Sequence, residues 1–554
     1  MKGWLRWVFR PALCFGGLVG GLIFFWISLT PSLLPRAWFF QGAVSGIAAA
    51  IGYGLGSAGS ALIRKVLPSE PSPTTKRIAW WVLAGVTGVA TILLLWQSHR
   101  WQNELRGLMG MGDESNFSGI GVVLLVAVVG ALLLVGARIL RSFGRFIVRQ
   151  VDRIAPRAVS VPVGFVLSLL LVVGFAQGVL WRGVVAVLNE GSSVANGRTN
   201  PDSMRPTTSN RSGGPDSLVS WESLGRQGRA FIGEGPTRAD LEAAQVPRCC
   251  STPIRVYVGL DSAGSPKARA DLAVRELERT GGFDRSVLGI FTATGTGWIN
   301  PKVADSLEYI HGGDTAEVSM QYSFLPSWMS FLVDQTKAEE AGQALIGAVL
   351  RHVHELPPQR RPKVLLYGES LGSYGTERAF ADLADMRANV DGALLVGPTF
   401  TNPIWKHLTA TREPGSPEWL PKLPAEAGVH FAGTPADLAG VADSGPEPRV
   451  VYLQNASDPI TWWNLDLAIR KPAWAGSPAA PDRSPAFRWF PVVTFVQTGV
   501  DLADSLGVPA GHGHYFGENV VDGWVAVDKP VGWTATDTAR VRARVAPLDE
   551  TPDF

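Results

Sequence analysis

The sequence predicts a helical membrane domain followed by an α/β domain, a mostly parallel sheet with helices on both faces. Three observations carry this. Apolar runs without charge fill the chain up to about residue 190, and beyond them charges are spread as in a water-facing domain. In that later part, short β-type apolar runs alternate with helical patterns. Within it, Gly368-Glu369-Ser370-Leu371-Gly372 directly follows the apolar run Val364–Tyr367. With 554 residues the chain exceeds one domain, and the expected division is a membrane domain over 1–190, a flexible linker over 191–217 and an α/β domain over 218–554.

About five runs in the first part are long enough to cross a bilayer: Ala12–Leu34, Phe39–Ile63, Ile78–Trp96, Phe117–Ile139 and Val159–Trp181. The first follows Lys2, Arg6 and Arg10 like a signal sequence, but it is long and lacks a small-x-small cleavage site, so it reads as a retained helix. The second is rich in Gly46, Gly52, Gly54 and Gly56, which suit close helix–helix approach in lipid. Positive charge concentrates in alternate loops: Lys2 to Arg10, Arg64 to Arg77, and Arg138 to Arg157. The positive-inside rule then puts the N-terminus in the cytoplasm. An odd number of crossings puts the α/β domain outside it, on a multi-pass protein of the plasma (inner) membrane. Arg141, Arg145, Arg149 and Arg153 recur every four residues, which suits either an amphipathic helix on anionic headgroups or simple fixing of topology. No acidic residue lies within the five runs, so an ion or proton pathway is poorly supported.

Residues 191–217 are Ser, Asn, Gly, Pro and Thr with scattered arginines and no apolar period, the pattern of a flexible tether. The net charge of +2, with no basic patch interleaved with aromatics, gives no support to nucleic-acid binding. Of the three cysteines, Cys249 and Cys250 are adjacent and read as buried thiols rather than as a strained vicinal bridge.

Expected strands in the α/β domain are Ile254–Gly259, Val287–Ala293, Glu317–Tyr322, Lys363–Tyr367, Gly392–Val396 and Val450–Gln454. Expected helices are Lys267–Arg279, Lys337–Glu355 opened by the capping box Thr336-x-x-Glu339, Tyr374–Met386 and Pro491–Leu506.

The pentapeptide G-x-S-x-G after a buried strand is the sequence of a nucleophile elbow, in which glycines permit a tight turn that exposes the serine. Ser370 would then need a histidine to take its proton and an acid to orient that histidine. Asp458 follows the strand Val450–Gln454, and Pro459 ends regular structure there; a plain turn aspartate before proline has the same appearance. His512 and His514, in Gly-His-Gly-His-Tyr, are the histidines downstream of Asp458. His512 has glycine on both sides and is the favoured base; His514 stays open. Two histidines at i, i+2 also suit a metal, but no carboxylate or cysteine cluster accompanies them, so no metal is expected. The oxyanion would be held by the backbone N–H of Leu371 and by the Gly-rich loop after Val287–Ala293, at Gly295 and Thr296. That loop lacks the third glycine and following acid of a dinucleotide fingerprint, and no cofactor is expected.

Five segments together are specific: GTGWINP at 295–301, QYSFLPSW at 321–328, GESLGS at 368–373, LQNASDP at 453–459 and GHGHY at 511–515. On these the chain resembles the bacterial membrane-bound α/β-hydrolases with an N-terminal multi-helix domain, over nearly its whole length. The resemblance implies a serine hydrolase using Ser370, Asp458 and one histidine of the Gly-His-Gly-His run. The expected partners are the lipid bilayer and an acyl ester, an envelope lipid foremost. Phe324–Met329 and Trp462-Trp463 are apolar enough to line an acyl site, although core packing explains them as well. An envelope acyltransferase would use the same triad, and a receptor or assembly factor with a hydrolase fold is the non-catalytic alternative.

Overall fold

The computed structural model describes residues 13–66, 71–114, 116–153, 166, 195–247, 249–325, 329–331, 335–443, 446–476 and 478–549. The chain forms two units. The first is Met1–Val187 with Asn464–Ala475 and Asp482–Asp504; the second is Leu188–Trp463 with Gly476–Pro481 and Ser505–Phe554. Two stretches from the middle of residues 218–554 thus group with the N-terminal helices.

In the first unit, α1 (Phe15–Ser28) has 14 residues, about 21 Å of helix, short of the roughly 30 Å hydrocarbon layer. Three helices are long and apolar enough to cross a membrane: α2 (Trp38–Val66), α3 (Pro73–Leu108) and α4 (Gly119–Val151). The expectation of about five crossings is therefore corrected to three among the described residues. In its described part the run Ala12–Leu34 holds short α1 and then an irregular, largely buried segment with Pro31, which continues through Pro35, while the run 159–181 lies outside the described residues apart from residue 166. Trp81 and Ile92 on α3 and Ile120 and Leu132 on α4 are exposed, as lipid-facing side chains would be. Helices α1 and α2 meet through small residues: a Cβ on Gly20 would lie 2.4 Å from the Gly52 carbonyl oxygen, and one on Gly56 would lie 2.1 Å from that of Gly16. Of the arginine stripe, Arg141, Arg145 and Arg149 lie in the last turns of α4 and not on a separate surface helix, with Arg153 just past its end.

The helix ends separate by charge. Arg64 and Lys65 end α2, and Lys76 and Arg77 begin α3. At the other end of the bundle lie the α1–α2 segment, Gln102 near the end of α3 and the start of α4. There the Arg36 N–H donates to Gln102 Oε1 (2.8 Å), and Gly121 lies against Trp38. This end also receives the helix Val493–Asp501, which is shorter than the expected Pro491–Leu506. Arg36 Nε donates to Asp501 Oδ1 (2.7 Å), and Ser32 Oγ donates to Asp501 Oδ2 (2.6 Å). Gln497 Nε2 donates to the Ser28 and Thr30 carbonyls (3.1 and 2.8 Å). The Arg36 and Asp501 side chains are buried, so neither charge could be removed alone without stranding the other.

The second unit is built on seven parallel strands: β1 (Ile254–Val258), β2 (Val287–Thr292), β3 (Thr315–Met320), β4 (Lys363–Glu369), β5 (Gly392–Val396), β6 (Val429–Ala432) and β7 (Arg449–Leu453). Their order is β1-β3-β2-β4-β5-β7-β6. Most strands are buried along their length, which a parallel sheet covered on both faces requires. One group of covering helices is α5 (Pro266–Thr280), α7 (Gln335–Glu355) and α8 (Leu371–Glu377); the other includes α6 (Pro301–Ile310), α10 (Asn519–Val527) and α11 (Ala535–Val545). Trp524 of α10 donates to the Val303 carbonyl of α6 (3.0 Å) and stacks over Phe291 of β2.

Several expectations are corrected. The helix expected over Tyr374–Met386 is two, α8 and α9 (Leu383–Asn389), because Asp382 caps a new helix by accepting from the Asp385 N–H. Thr336 lies inside α7, and Glu339 does not close a capping box; its carboxylate takes Arg378 (2.5 Å) instead. The tract expected to be a flexible tether is held to the sheet in its described part: Asn196 accepts from Gln321 (3.0 Å), and Ser212 and Ser217 donate to the buried Glu276 (3.0 Å each). Cys249 is exposed rather than buried, and Cys250 beside it is half-buried.

At one edge of the sheet, Arg255 of β1 is buried among three carboxylates. It pairs with Glu308 (2.7 Å) and Asp305 (2.6 Å) of α6 and lies 3.7 Å from Glu317 of β3. Neither Glu317 oxygen accepts a hydrogen bond among the described residues.

Candidate active site

Ser370 stands at the end of the central strand β4, between that strand and α8, with φ 54° and ψ −122°. A side chain other than hydrogen is costly at positive φ, about 1–3 kcal/mol, and such strain is kept where the surroundings over-determine it. Here the Ser370 N–H donates to the Val396 carbonyl of β5 (2.9 Å), while its own carbonyl takes the N–H of Ser373 (3.0 Å) and the hydroxyl of Ser373 (2.6 Å). Both flanking glycines are required. A Cβ on Gly368 would lie 2.5 Å from the Gly372 carbonyl oxygen, and one on Gly372 would lie 2.2 Å from that of Thr292. Gly372 therefore brings α8 onto the end of β2, beside the loop Thr294–Trp298. Leu371 is the first residue of α8, where N–H groups have no acceptor within the helix.

The loop after β2 is itself fixed. The Thr294 N–H donates to the Trp298 carbonyl (3.1 Å), Gln321 to the Thr296 carbonyl (2.7 Å) and Tyr257 to the Gly297 carbonyl (2.6 Å). Gly295 is buried in this turn. The Thr296 hydroxyl is buried with no hydrogen-bond partner among the described residues. Asn300 ties the loop to the elbow: its Nδ2 donates to Glu369 Oε2 (3.1 Å), which also accepts from Tyr367 (2.5 Å).

Asp458 is fully buried at the N-cap of the short helix Pro459–Trp462. Its Oδ1 accepts from the Ile460 N–H (2.8 Å). Its Oδ2 accepts from His514 Nδ1 (2.7 Å) and from the Thr461 hydroxyl (3.2 Å). The loop carrying His514 is held from the same segment. Asn455 donates to the Gly513 and Tyr515 carbonyls (3.0 and 3.2 Å), and Ser457 accepts from the Gly513 N–H (3.0 Å). The preference for His512 gives way here: the histidine bonded to Asp458 is His514. His512 sits in a turn two residues earlier, where its carbonyl accepts from the Tyr515 N–H (3.1 Å). The alternation of glycine and histidine gave no means of choosing. The choice is made by Asn455 and Ser457 through contacts distant in sequence.

The His514 ring lies over Gly397, where a Cβ would stand 2.4 Å from Cε1. Gly397 follows Val396, the residue that accepts the Ser370 N–H, so the imidazole is delivered to the elbow. Burial opposes a charge on His514, but Asp458 and then Glu369 outweigh it, and the imidazole pKa is raised above its ordinary 6.5. Glu369 is pushed above its ordinary range by burial, against the pull of His514 and of the Tyr367 and Asn300 hydrogen bonds. Among the described residues no group of three or more His, Cys, Asp or Glu could hold a metal.

A strained serine at a strand–helix elbow, with a buried Asp–His pair from later loops, sits on a parallel sheet, and family models identify the fold. The model described as alpha/beta-hydrolase family matches residues 254–541. The chain belongs to the alpha/beta-hydrolase family. A second model, described as alpha/beta-hydrolase family N-terminus, matches residues 29–236, so the α/β-hydrolase match is preceded by the helical region that goes with it. No curated protein and no solved structure matches the chain. Asn300, Glu369, Asn455 and Ser457 were not singled out from sequence, although each lies inside one of the five segments that carried the resemblance.

Proposed function

We propose that this α/β-hydrolase is a membrane-anchored serine esterase in which Ser370, His514 and Asp458 form the catalytic triad. The observation that carries the reading is the buried His514–Asp458 hydrogen bond beside the elbow. With Nδ1–H donated to Asp458, the other ring nitrogen, Nε2, is left unprotonated and can act as a base. Ser370 Oγ bonds to the ester carbonyl carbon as its proton passes to Nε2. The carbonyl oxygen, now negative, is held by the N–H of Leu371 and by N–H groups of the Gly295–Thr296 loop. His514 then returns the proton to the leaving alcohol, and water resolves the acyl-enzyme by the same steps.

The substrate class is an acyl ester with an apolar chain, a lipid of the cell envelope. Phe331, Phe400 and Trp463 support it. They come from the segments after β3, β5 and β7, remain partly exposed, and meet edge to face at 5.5 and 6.4 Å. Trp462, by contrast, is core, buried against Trp405. Part of the segment 324–329 lies outside the described residues.

We place the protein in the plasma membrane with the catalytic unit outside the cytoplasm. The basic ends of α2, α3 and α4 face the cytoplasm by the positive-inside rule. The opposite end of the bundle is where Asp501 meets Arg36, so the chain between Asp458 and His514 enters the bundle from the non-cytoplasmic side.

The test is labelling by a fluorophosphonate. Wild-type protein should label and hydrolyse short p-nitrophenyl esters, and Ser370→Ala should lose both, with unchanged elution and melting. Full activity in Ser370→Ala would remove the triad reading.

A further inference from the structure

The loop after β5 is held by the helix that begins at the nucleophile. Glu377, the last residue of α8, is fully buried and stands at the start of the helix Pro403–Ala410, which is not its own. Its Oε2 accepts from the Ile404 N–H (2.6 Å). Its Oε1 accepts from Asn402 Nδ2 (3.0 Å) and from the Tyr452 hydroxyl (2.8 Å). The Trp405 N–H is shared between the two oxygens (3.3 and 3.2 Å). A carboxylate at a helix N-terminus meets N–H groups that have no acceptor within the helix. Asn402 extends the hold in two directions. Its Nδ2 also donates to Ser373 Oγ (3.1 Å), and its Oδ1 accepts from the N–H and the hydroxyl of Thr399 (3.0 and 2.8 Å). Between Thr399 and Asn402 lies Phe400, the middle ring of the three that meet edge to face, in contact with both Phe331 and Trp463. Every residue in this run of contacts belongs to the second unit.

We infer that Glu377, acting through Asn402, is a positioning residue for Phe400 and so sets which acyl chain the site takes. Residues 397–402 lie between β5 and the next helix, and the Asn402 bonds fold them into one conformation. Burying a carboxylate that takes no part in the triad is costly unless hydrogen bonds answer it. Here four donors do, and together they aim Asn402 at Thr399. The assignment gives a task to a buried acid close to Ser370 that the triad does not use. Burial pushes the Glu377 carboxyl up to about 7, against the bonds from Asn402, Tyr452, Trp405 and Ile404, so it is charged above neutral pH.

The inference rests on the serine esterase reading, and the experiment separates the two. In the full-length protein, the measured quantity is the ratio of kcat/KM for p-nitrophenyl octanoate to that for p-nitrophenyl acetate, at about pH 8, where the carboxyl is ionised. In Glu377→Gln the amide oxygen keeps the backbone N–H groups of Ile404 and Trp405. The new NH2 then faces the NH2 of Asn402, whose own oxygen is held by Thr399. Asn402 loses its anchor, and the ratio should fall about tenfold, the worth of a methylene or so of apolar contact. A loss of packing alone would lower both substrates alike and leave the ratio where it was. Phe400→Ala should lower the ratio as much, and the double variant no further, because Glu377 acts through Phe400. An unchanged ratio in folded Glu377→Gln, or a double variant whose losses multiply, overturns the inference and leaves the triad standing. A wild type active on the acetate alone also overturns it. If Glu377→Gln does not fold, Asn402→Ala is measured in its place, with the same outcomes. A wild type that neither labels with a fluorophosphonate nor cleaves either ester removes the serine esterase reading and this inference with it.

Discussion

Replacing Asp458 by asparagine tests the geometry of the site most sharply, because the atoms around that carboxylate dictate which way the amide must face. Oδ1 accepts from the Ile460 N–H (2.8 Å), and Oδ2 accepts from His514 Nδ1 (2.7 Å). If the amide oxygen keeps Ile460, the NH2 group faces His514. Nδ1 must then become the acceptor, which moves the ring proton to Nε2 and leaves nothing to take the serine proton. The flipped amide would put two donors face to face at Ile460, a buried mismatch of about 1–3 kcal/mol. The wrong tautomer should lower turnover about a thousandfold to ten-thousandfold, some 4–5.5 kcal/mol in barrier. The pH profile should move as well. The imidazole is held above 6.5 only because Asp458, with Glu369, outweighs burial. Without the Asp458 charge, burial prevails, and the acid limb of residual labelling should shift to lower pH. Labelling rate against pH, for wild type and Asp458→Asn, is the assay. A variant within about tenfold of wild type, with an unmoved acid limb, would refute the assignment of Asp458 as the acid.

Other expectations follow from the same coordinates. His514→Ala should abolish labelling to within the same thousandfold or more, whereas His512→Ala should cost less than about tenfold, as p-nitrophenyl ester kinetics would register; the reverse order would reinstate His512. Gly372→Ala forces a methyl within 2.2 Å of the Thr292 carbonyl oxygen and should destabilise the protein by about 3 kcal/mol in urea unfolding, with labelling lost in parallel. Alkaline phosphatase fused after residue 200 should be active and fused within 141–149 inactive; activity at the second site would reverse the proposed orientation.

The catalytic end of the sheet was readable because elbow chemistry is local. Gly368, Ser370 and Gly372 must be close in sequence, and Asp458 stands between a strand and a proline, although a plain turn aspartate has the same appearance. What escaped depended on distance. Asn455 and Ser457 select His514 through Gly513, more than fifty residues on, and no local pattern encodes that choice. Strand β6 escaped because it has four residues with His430 among them, at the sheet edge where half its pairing is absent. The helix count was overstated because hydropathy measures apolar length and not where Pro31 and Pro35 stop a helix. The Arg36–Asp501 pair joins residues hundreds of positions apart and was invisible from either side.

The acid cluster around Arg255 gives the α/β unit a proton ledger of its own. Glu317 is driven well above its ordinary range by burial and by Glu308, against the pull of Arg255. Burial likewise pushes Asp305 up to about 7. An unfolded chain would release these protons in the ordinary carboxylate range, so folding takes up protons near neutrality. A carboxyl raised in this way contributes stability that is complete below its unfolded value and is lost as pH climbs through its folded one, here up to about 7 for Asp305. This cluster therefore contributes more to the α/β unit in mildly acidic surroundings than at neutral pH, while the His514 imidazole, raised above 6.5, keeps its proton to a higher pH than a free one. The carboxylates around Arg255 and those beside His514 thus act in the same direction: each group makes its end of the sheet hold protons more tightly.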